Sequence, residues 1–319
     1  SLNYEKEIDH FASLKFKGSH QKNKGFDFEF IEYKESDNLI LINNIQFNEK
    51  MQINNVEELI VQTTHDNSIN NKFKLSKNKN IKIQGEIFDL RPLLDTLYKS
   101  NKRKLFSKKF NEKMSINIEK MIANDGNNLL KFSMISEIED GEYTKLSAKG
   151  KFSEDEIIEA SIYKRGNNKK VVHIISDRAE PFIFGLNFIK GFKGGKLEYE
   201  SVYSKGISNS KVKILDFKVS KVPALTQLLT LASLQGIADT LTGEGIRFNE
   251  LEMDFNSKEN TINIDEMYAI GPAISLLMSG YVVKGNIVSL RGTLVPASTI
   301  QKTIGKIPLI GDILVGKKV

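Results

Sequence analysis

The sequence predicts a mainly β protein: a long curved antiparallel sheet forming an apolar groove, with a few short helices capping or plugging it. Apolar and polar residues alternate with period two between turn signals nearly from end to end, which is how antiparallel strands with one buried face read. Helical stretches are few. Strands lie about 4.8 Å apart and a helix with its side chains is about 10 Å wide, so one helix roofs roughly two strands. Against on the order of fifteen strand-like runs there are about three good helices, enough to cover about six strands. The remaining apolar faces must meet one another in a barrel or sandwich, or line a groove that something apolar occupies.

The strand faces follow in order along the chain: Phe26/Phe28/Phe30, Ile81/Ile83/Ile87, Met114/Ile116/Ile118 and Leu130/Phe132/Met134. Residues 143–152 give the clearest case. There Leu146, Ala148, Gly150 and Phe152 share one face while Lys145, Ser147, Lys149 and Lys151 share the other, a sorting that helical geometry could not produce. Ile262/Ile264/Tyr268 and Val288/Leu290/Leu294 read the same way.

Hairpin turns are expected at Asp125-Gly126, Asp140-Gly141, Gly166-Asn167-Asn168, Lys258-Glu259-Asn260 and Lys284-Gly285-Asn286, residues that accept positive φ or local capping. The apolar phase changes from Ile246/Phe248 to Leu251/Met253/Phe255, and from Val212/Ile214 to Leu215/Phe217/Val219; a bulge or bend is the simplest cause. Helices are expected over residues 90–101, 181–190 and 223–241, the last opened by Pro223 and closed by Gly243 and Gly245, with short helical turns around 297–304 and 310–315.

Composition narrows the function classes. The 319 residues hold no cysteine, which removes disulfide frameworks, thiol nucleophiles, iron–sulfur clusters and thiolate zinc sites together. With Gly 22 and Pro 6, the chain is neither collagenous nor a disordered tail. A net charge of +6 suits anionic surfaces without requiring one. Residues 1–10 have no apolar run like that of a signal peptide or membrane anchor, and the chain reads as an excised piece of a longer protein.

No catalytic constellation assembles. Of the four histidines, His10, His20, His65 and His173, none stands three or four residues from another, and His173 sits in a strand-like run. Carboxylates are scattered over polar strand faces, and no GxSxG element is present. Gly191-Phe192-Lys193-Gly194-Gly195-Lys196 lacks the glycine-to-lysine spacing of a phosphate loop and reads as a turn. Residues 99–109 carry six cations and no acid; Lys102, Arg103 and Lys104 are the candidates for lipid headgroup contact, against a solvated helix end as the plainer reading. The stretch 223–241 is apolar almost all round: Leu225, Leu228 and Leu229 form one stripe and Leu231 and Leu234 widen it. It is expected either to pack as a core helix on the sheet or to plug one end of an apolar trough.

Two stretches resemble the AsmA-like C-terminal domain family, of the AsmA/TamB type of envelope protein. One runs from Val222 through Pro223-Ala224-Leu225 and Thr240-Leu241-Thr242-Gly243-Glu244-Gly245 to Phe248. The other begins near Gly271-Pro272-Ala273 and continues through Ser279-Gly280-Tyr281, Leu290-Arg291-Gly292-Thr293-Leu294-Val295-Pro296-Ala297 and Ile307-Pro308-Leu309-Ile310-Gly311-Asp312-Ile313-Leu314. Together they cover about the last third of the chain, and upstream the likeness is one of pattern. The resemblance implies a periplasmic part of a protein anchored in the inner membrane by a segment this chain lacks, holding or conducting phospholipid along a β groove toward the outer membrane.

From these readings, residues 1–175 are expected to be a β-rich groove segment and 176–319 an AsmA-like C-terminal region with the apolar helix at 222–242, forming one continuous groove. Leu146, Phe152, Leu130, Phe132, Ile262, Ile264, Leu225, Leu228, Leu229 and Leu231 are the expected acyl-chain lining. No enzymatic activity, cofactor, metal or nucleic-acid partner is expected. The rival expectation is a structural or interaction module of the cell envelope with a closed, dry core.

Overall fold

The computed structural model describes residues 11–21, 25–99, 106–123, 126–166, 169–183, 191–231, 234–283 and 287–296. The chain is mainly β, 71% strand, and the described residues form seventeen strands and four short helices. It divides into two compact units, Ser1–Lys164 and Arg165–Val319. The division falls before the expected 175/176 boundary because the strand at 170–176 pairs with the strand that follows it.

The first unit holds β1 (Ala12–Gln21), β2 (Gly25–Glu35), β3 (Asn38–Phe47), β4 (Ile53–His65), β5 (Ser68–Lys77), β6 (Ile81–Asp89), α1 (Arg91–Lys99), β7 (Glu112–Ile122), β8 (Leu129–Glu139), β9 (Glu142–Lys151) and β10 (Ile157–Lys164). Each strand pairs antiparallel with the next, with one exception that corrects the purely antiparallel expectation. β6 and β7 are parallel, since the connection between them carries α1 and is long enough for a crossover, where a tight hairpin would force antiparallel pairing. Asp140 and Gly141 take positive φ in the β8–β9 turn, as that dipeptide suggests.

The second unit holds β11 (Lys170–Ser176), α2 (Glu180–Ile183), β12 (Gly191–Ser204), β13 (Ile207–Ser220), α3 (Pro223–Leu231), α4 (Gln235–Thr242), β14 (Ile246–Lys258), β15 (Thr261–Ile270), β16 (Ile274–Val283) and β17 (Ile287–Pro296). Successive strands from β11 to β17 pair antiparallel. Two expectations change here. Residues 191–196 are the start of β12 and not a turn. The stretch at 222–242 is two helices and not one: α3 ends at Leu231 and α4 begins at Gln235, and Leu234 before it takes φ −103° with its N–H bonded back to Leu229.

Long strands keep one apolar face only if the alternation stays in phase, and left-handed residues restore the phase where it slips. Gly195 (φ 86°) and Asp216 (φ 53°) face each other across β12 and β13, and Phe217 and Ile214 both reach the core on either side of Asp216. The expected bend is therefore present, one residue later than its apolar pattern suggests: Leu215 lies on the polar face, opposite Lys196 and Glu250. Asn44 (φ 50°) in β3 and Lys131 (φ 50°) in β8 mark equivalent phase changes. With the register shift between Lys72 and Phe73 on β5, where β6 changes phase between Gly85 and Ile87, they correct three assignments. Phe30 faces Lys17 and Asn43 instead of sharing a face with Phe28; Ile87 faces Lys72 and Lys120, with Phe88 taking its place; and Leu130 faces Lys120 and Lys151, with Leu129 joining Phe132 in the core.

The second unit has its core under α3 and α4. Leu229, Ala238 and Leu241 are fully buried among Leu197, Ile214, Phe217, Ile246, Phe248 and Ile274. Phe192, Phe217 and Phe248 stack in a ladder, with ring centroids 5.2 and 5.3 Å apart. Burying each leucine contributes about 1.5–3 kcal/mol, which seats the helices firmly.

In the first unit a glycine decides the packing. Gly85 on β6 lets Phe73, Val61 and Ile118 close over it, and a methyl group there would lie 2.6 Å from the Cα of Phe73. Gly85→Ala is expected to destabilise the protein by about 1–3 kcal/mol, as overpacked cores do, read as a lower urea midpoint; an unchanged midpoint contradicts this packing.

Candidate functional site

Strand register builds two apolar rows on one face of the first unit. The first runs Phe16, Ile31, Ile42, Leu59, Leu75, Ile83, Ile116, Met134, Ala148 and Ala160, one residue from each of ten strands, each opposite the next. Beside it, Leu14, Tyr33, Ile40, Val61, Phe73, Gly85, Ile118 and Phe132 form the second. Nine strand spacings make the first row about 43 Å long. Most of its members are half-buried and not sealed. Among the described residues α2 packs on β12 and α4 on β13 and β14, all in the second unit.

A buried polar row borders the apolar ones. Glu35, Asn38, Thr63 and Asn71 stand in register at 1%, 9%, 6% and 5% exposure. Their bonds run along the strand ends: Tyr33 Oη donates to Glu35 at 2.7 Å, Thr64 N–H donates to Asn38 Oδ1 at 2.6 Å, Asn71 Nδ2 donates to Thr63 Oγ1 at 3.0 Å and Asp89 N–H donates to Asn71 Oδ1 at 2.9 Å. Arg91 clamps Asp89 through two of its nitrogens, at 2.9 and 2.7 Å. Burial acts to raise the Asp89 carboxyl, but the Arg91 and Asn70 hydrogen bonds outweigh it and hold it below the usual carboxylate range. Sequence reading missed this row, since polar residues at strand ends look like ordinary turn flanks; the signal was that Glu35, Asn38, Thr63 and Asn71 occupy the phase of the apolar face.

The expected lining residues fall into separate groups. Leu146 and Phe132 pack with Met134 and Ile138 on the apolar face of the first unit. Phe152 is half-buried just past β9, its N–H bonded to Glu156 O at 2.8 Å. Leu130 is on the opposite face, for the reason given above. In the second unit, Ile264 stands in register between Phe255 and Gly280, and Ile262 between Ser257 and Val282. Leu225 packs against the helix-covered core and Leu229 is sealed inside it. Leu228 and Leu231 lie on α3 with side chains outside the described residues, and Lys102, Arg103 and Lys104 are also outside them.

The second unit's face has a covered part and an uncovered part. Beyond the helix-covered core, Ile174, Tyr199, Val212, Met253, Met267 and Met278 form a row across six strands. Three methionines in direct register give a soft surface that adapts to irregular apolar shapes.

The reverse faces are polar. On β13 and β14, Lys213 bonds Glu250 and also Glu252, the latter at 2.8 Å. Burial pushes the Glu252 carboxyl up, but hydrogen bonds from Lys213 and Tyr268 outweigh it and bring its pKa to about 2. Tyr268, by burial and then by Glu252, is held above its ordinary range. His173 on β11 stands 3.7 Å from Glu198. Among the described residues no three His, Asp or Glu side chains gather in a metal-binding arrangement, and these charged groups pair with one another instead of converging on a cavity.

No family model, curated protein or solved structure matches this chain.

The lowered Glu252 pKa gives stability that is complete above its ordinary value of 4.5 and is lost as pH falls toward about 2. Urea midpoints are expected to drop over that window, and Lys213→Met is expected to make the drop shallower; an unaltered pH profile contradicts the pairing.

Proposed function

We propose that this chain holds or conducts phospholipid along the apolar rows of its sheets, as a non-enzymatic part of a periplasmic, inner-membrane-anchored protein of the AsmA-like kind. The observation that carries the reading is the ten-strand row from Phe16 to Ala160, apolar at every position and half-buried at most of them, with Met134 buried and Phe16 exposed. A membrane's hydrocarbon core is about 30 Å thick, so one leaflet's chains are about 15 Å long, and the row could accommodate nearly three such lengths end to end. A row of this kind offers an acyl chain continuous apolar contact without a polar step. The resemblance of the last third of the sequence to the AsmA-like domain supports the lipid and the envelope location. Paired charges on the reverse face keep that side in water.

A second reading has one observation in its favour. The fully buried Leu229, Ala238 and Leu241 make the helix-covered part of the second unit a dry core, as a structural envelope module would have. The two readings part at Leu146, which is half-buried on the first unit's face. Purified protein is expected to yield phospholipid on extraction and in native mass spectrometry. Leu146→Glu is expected to keep the fold, by circular dichroism, and lose most of that lipid. Unfolding of the variant, or repeated recovery of no lipid from the intact wild-type protein, contradicts the proposal.

A further inference from the structure

β1 is the outermost strand of the first unit: it pairs with β2 on one side, and among the described residues no other strand is laid against it. Residues 11–20 are all exposed. Leu14 and Phe16 are 61% and 62% exposed, although they continue the two apolar rows in which their neighbours Tyr33 and Ile31 are half-buried. The difference is that among the described residues no strand lies on the outer side of β1. A long apolar edge with unpaired backbone groups is a template for another strand, and proteins that leave such an edge bare usually blunt it. Here the blunting device covers only part of it: the register shift between Lys17 and Gly18 bends the second half of β1, leaving Ala12 to Lys17 straight.

We propose that β1 is a docking edge for an extended strand of a partner polypeptide whose residues alternate between apolar and acidic. Charge complementarity selects that partner. On the inner side Lys15 stands 3.8 Å from Glu32 and Lys17 stands 2.7 Å from Glu29, while Phe16 and Leu14 face Ile31 and Tyr33. The two lysine side chains remain 68% and 65% exposed, so their ammonium groups can also serve carboxylates on the outer side. An added strand with an acid opposite Lys15, a second acid within reach of Lys17 as Glu29 is, and apolar side chains opposite Leu14 and Phe16 would repeat the β2 pattern there. A second copy of this chain fits worse. Two β1 strands paired antiparallel about Phe16 would set Lys15 of each opposite Lys17 of the other, and like charges directly opposite are destabilising.

The test uses the whole chain and a fluorescein-labelled peptide copying residues 28–35, the β2 segment that pairs with β1 on its inner side. Fluorescence anisotropy is expected to show saturable binding. A peptide with lysine at the positions of Glu32 and Glu29, the acids ion-paired with Lys15 and Lys17, is expected to bind the wild-type chain about tenfold more weakly. The double variant Lys15→Glu/Lys17→Glu, its fold checked by circular dichroism, is expected to reverse the preference between the two peptides. Absence of saturable binding, equal binding of both peptides to the wild-type chain, or self-association of the chain that the double variant alters would each overturn the proposal, the last by assigning the edge to a second copy.

Discussion

The structure depends on keeping period-two alternation in phase across many paired strands. A strand shows one face to water and the other away from it, and a slip of one residue exchanges the two. In this chain the register aligns one apolar residue from each of ten strands into a single row, from Phe16 on β1 to Ala160 on β10. Where long strands would lose phase, Asn44, Lys131 and Asp216 take left-handed φ near 50° and flip the following residue back. A non-glycine residue in that region costs of order 1 kcal/mol or more. The apolar face is what that strain preserves.

The two units cover their apolar faces differently. In the second, α3 and α4 follow β13 directly and fold back on β13 and β14, so that the phenylalanine ladder and the leucines of the helices make an ordinary sealed core. In the first, α1 serves as the crossover that lets β6 and β7 run parallel, and the apolar side chains mostly shield one another within the sheet. Phe73, Val61 and Ile118 meet over Gly85 in this way. The result is a face partly protected by its own side chains and bordered by the polar row from Glu35 to Asn71, a boundary that would set a limit to any acyl chain lying along the rows.

Much of this was legible in the sequence. The face split at residues 143–152 is the one observed, with Leu146, Ala148 and Gly150 turned from water and Lys145, Ser147 and Lys149 toward it. The scarcity of helices, the β8–β9 turn and the need for a bend near residue 215 could be read from alternation and turn chemistry alone. What could not be read depends on backbone conformation that leaves little trace in side-chain pattern. A positive φ at Lys131 moves Leu130 off the apolar face, and nothing about a lysine in a strand announces it. The end of α3 at Leu231, with α4 beginning at Gln235, and the parallel β6–β7 pair likewise leave no mark in the alternation.

The central claim is that the row through Leu75, Ile83 and Ile116 meets acyl chains while the face behind it meets water. A benzophenone amino acid placed at Ile83, and separately at Lys82, in protein purified from membrane-containing cells tests this most directly. On irradiation, the account predicts a phospholipid mass adduct at position 83 and none at 82. No adduct at either position, or equal adducts at both, would contradict it.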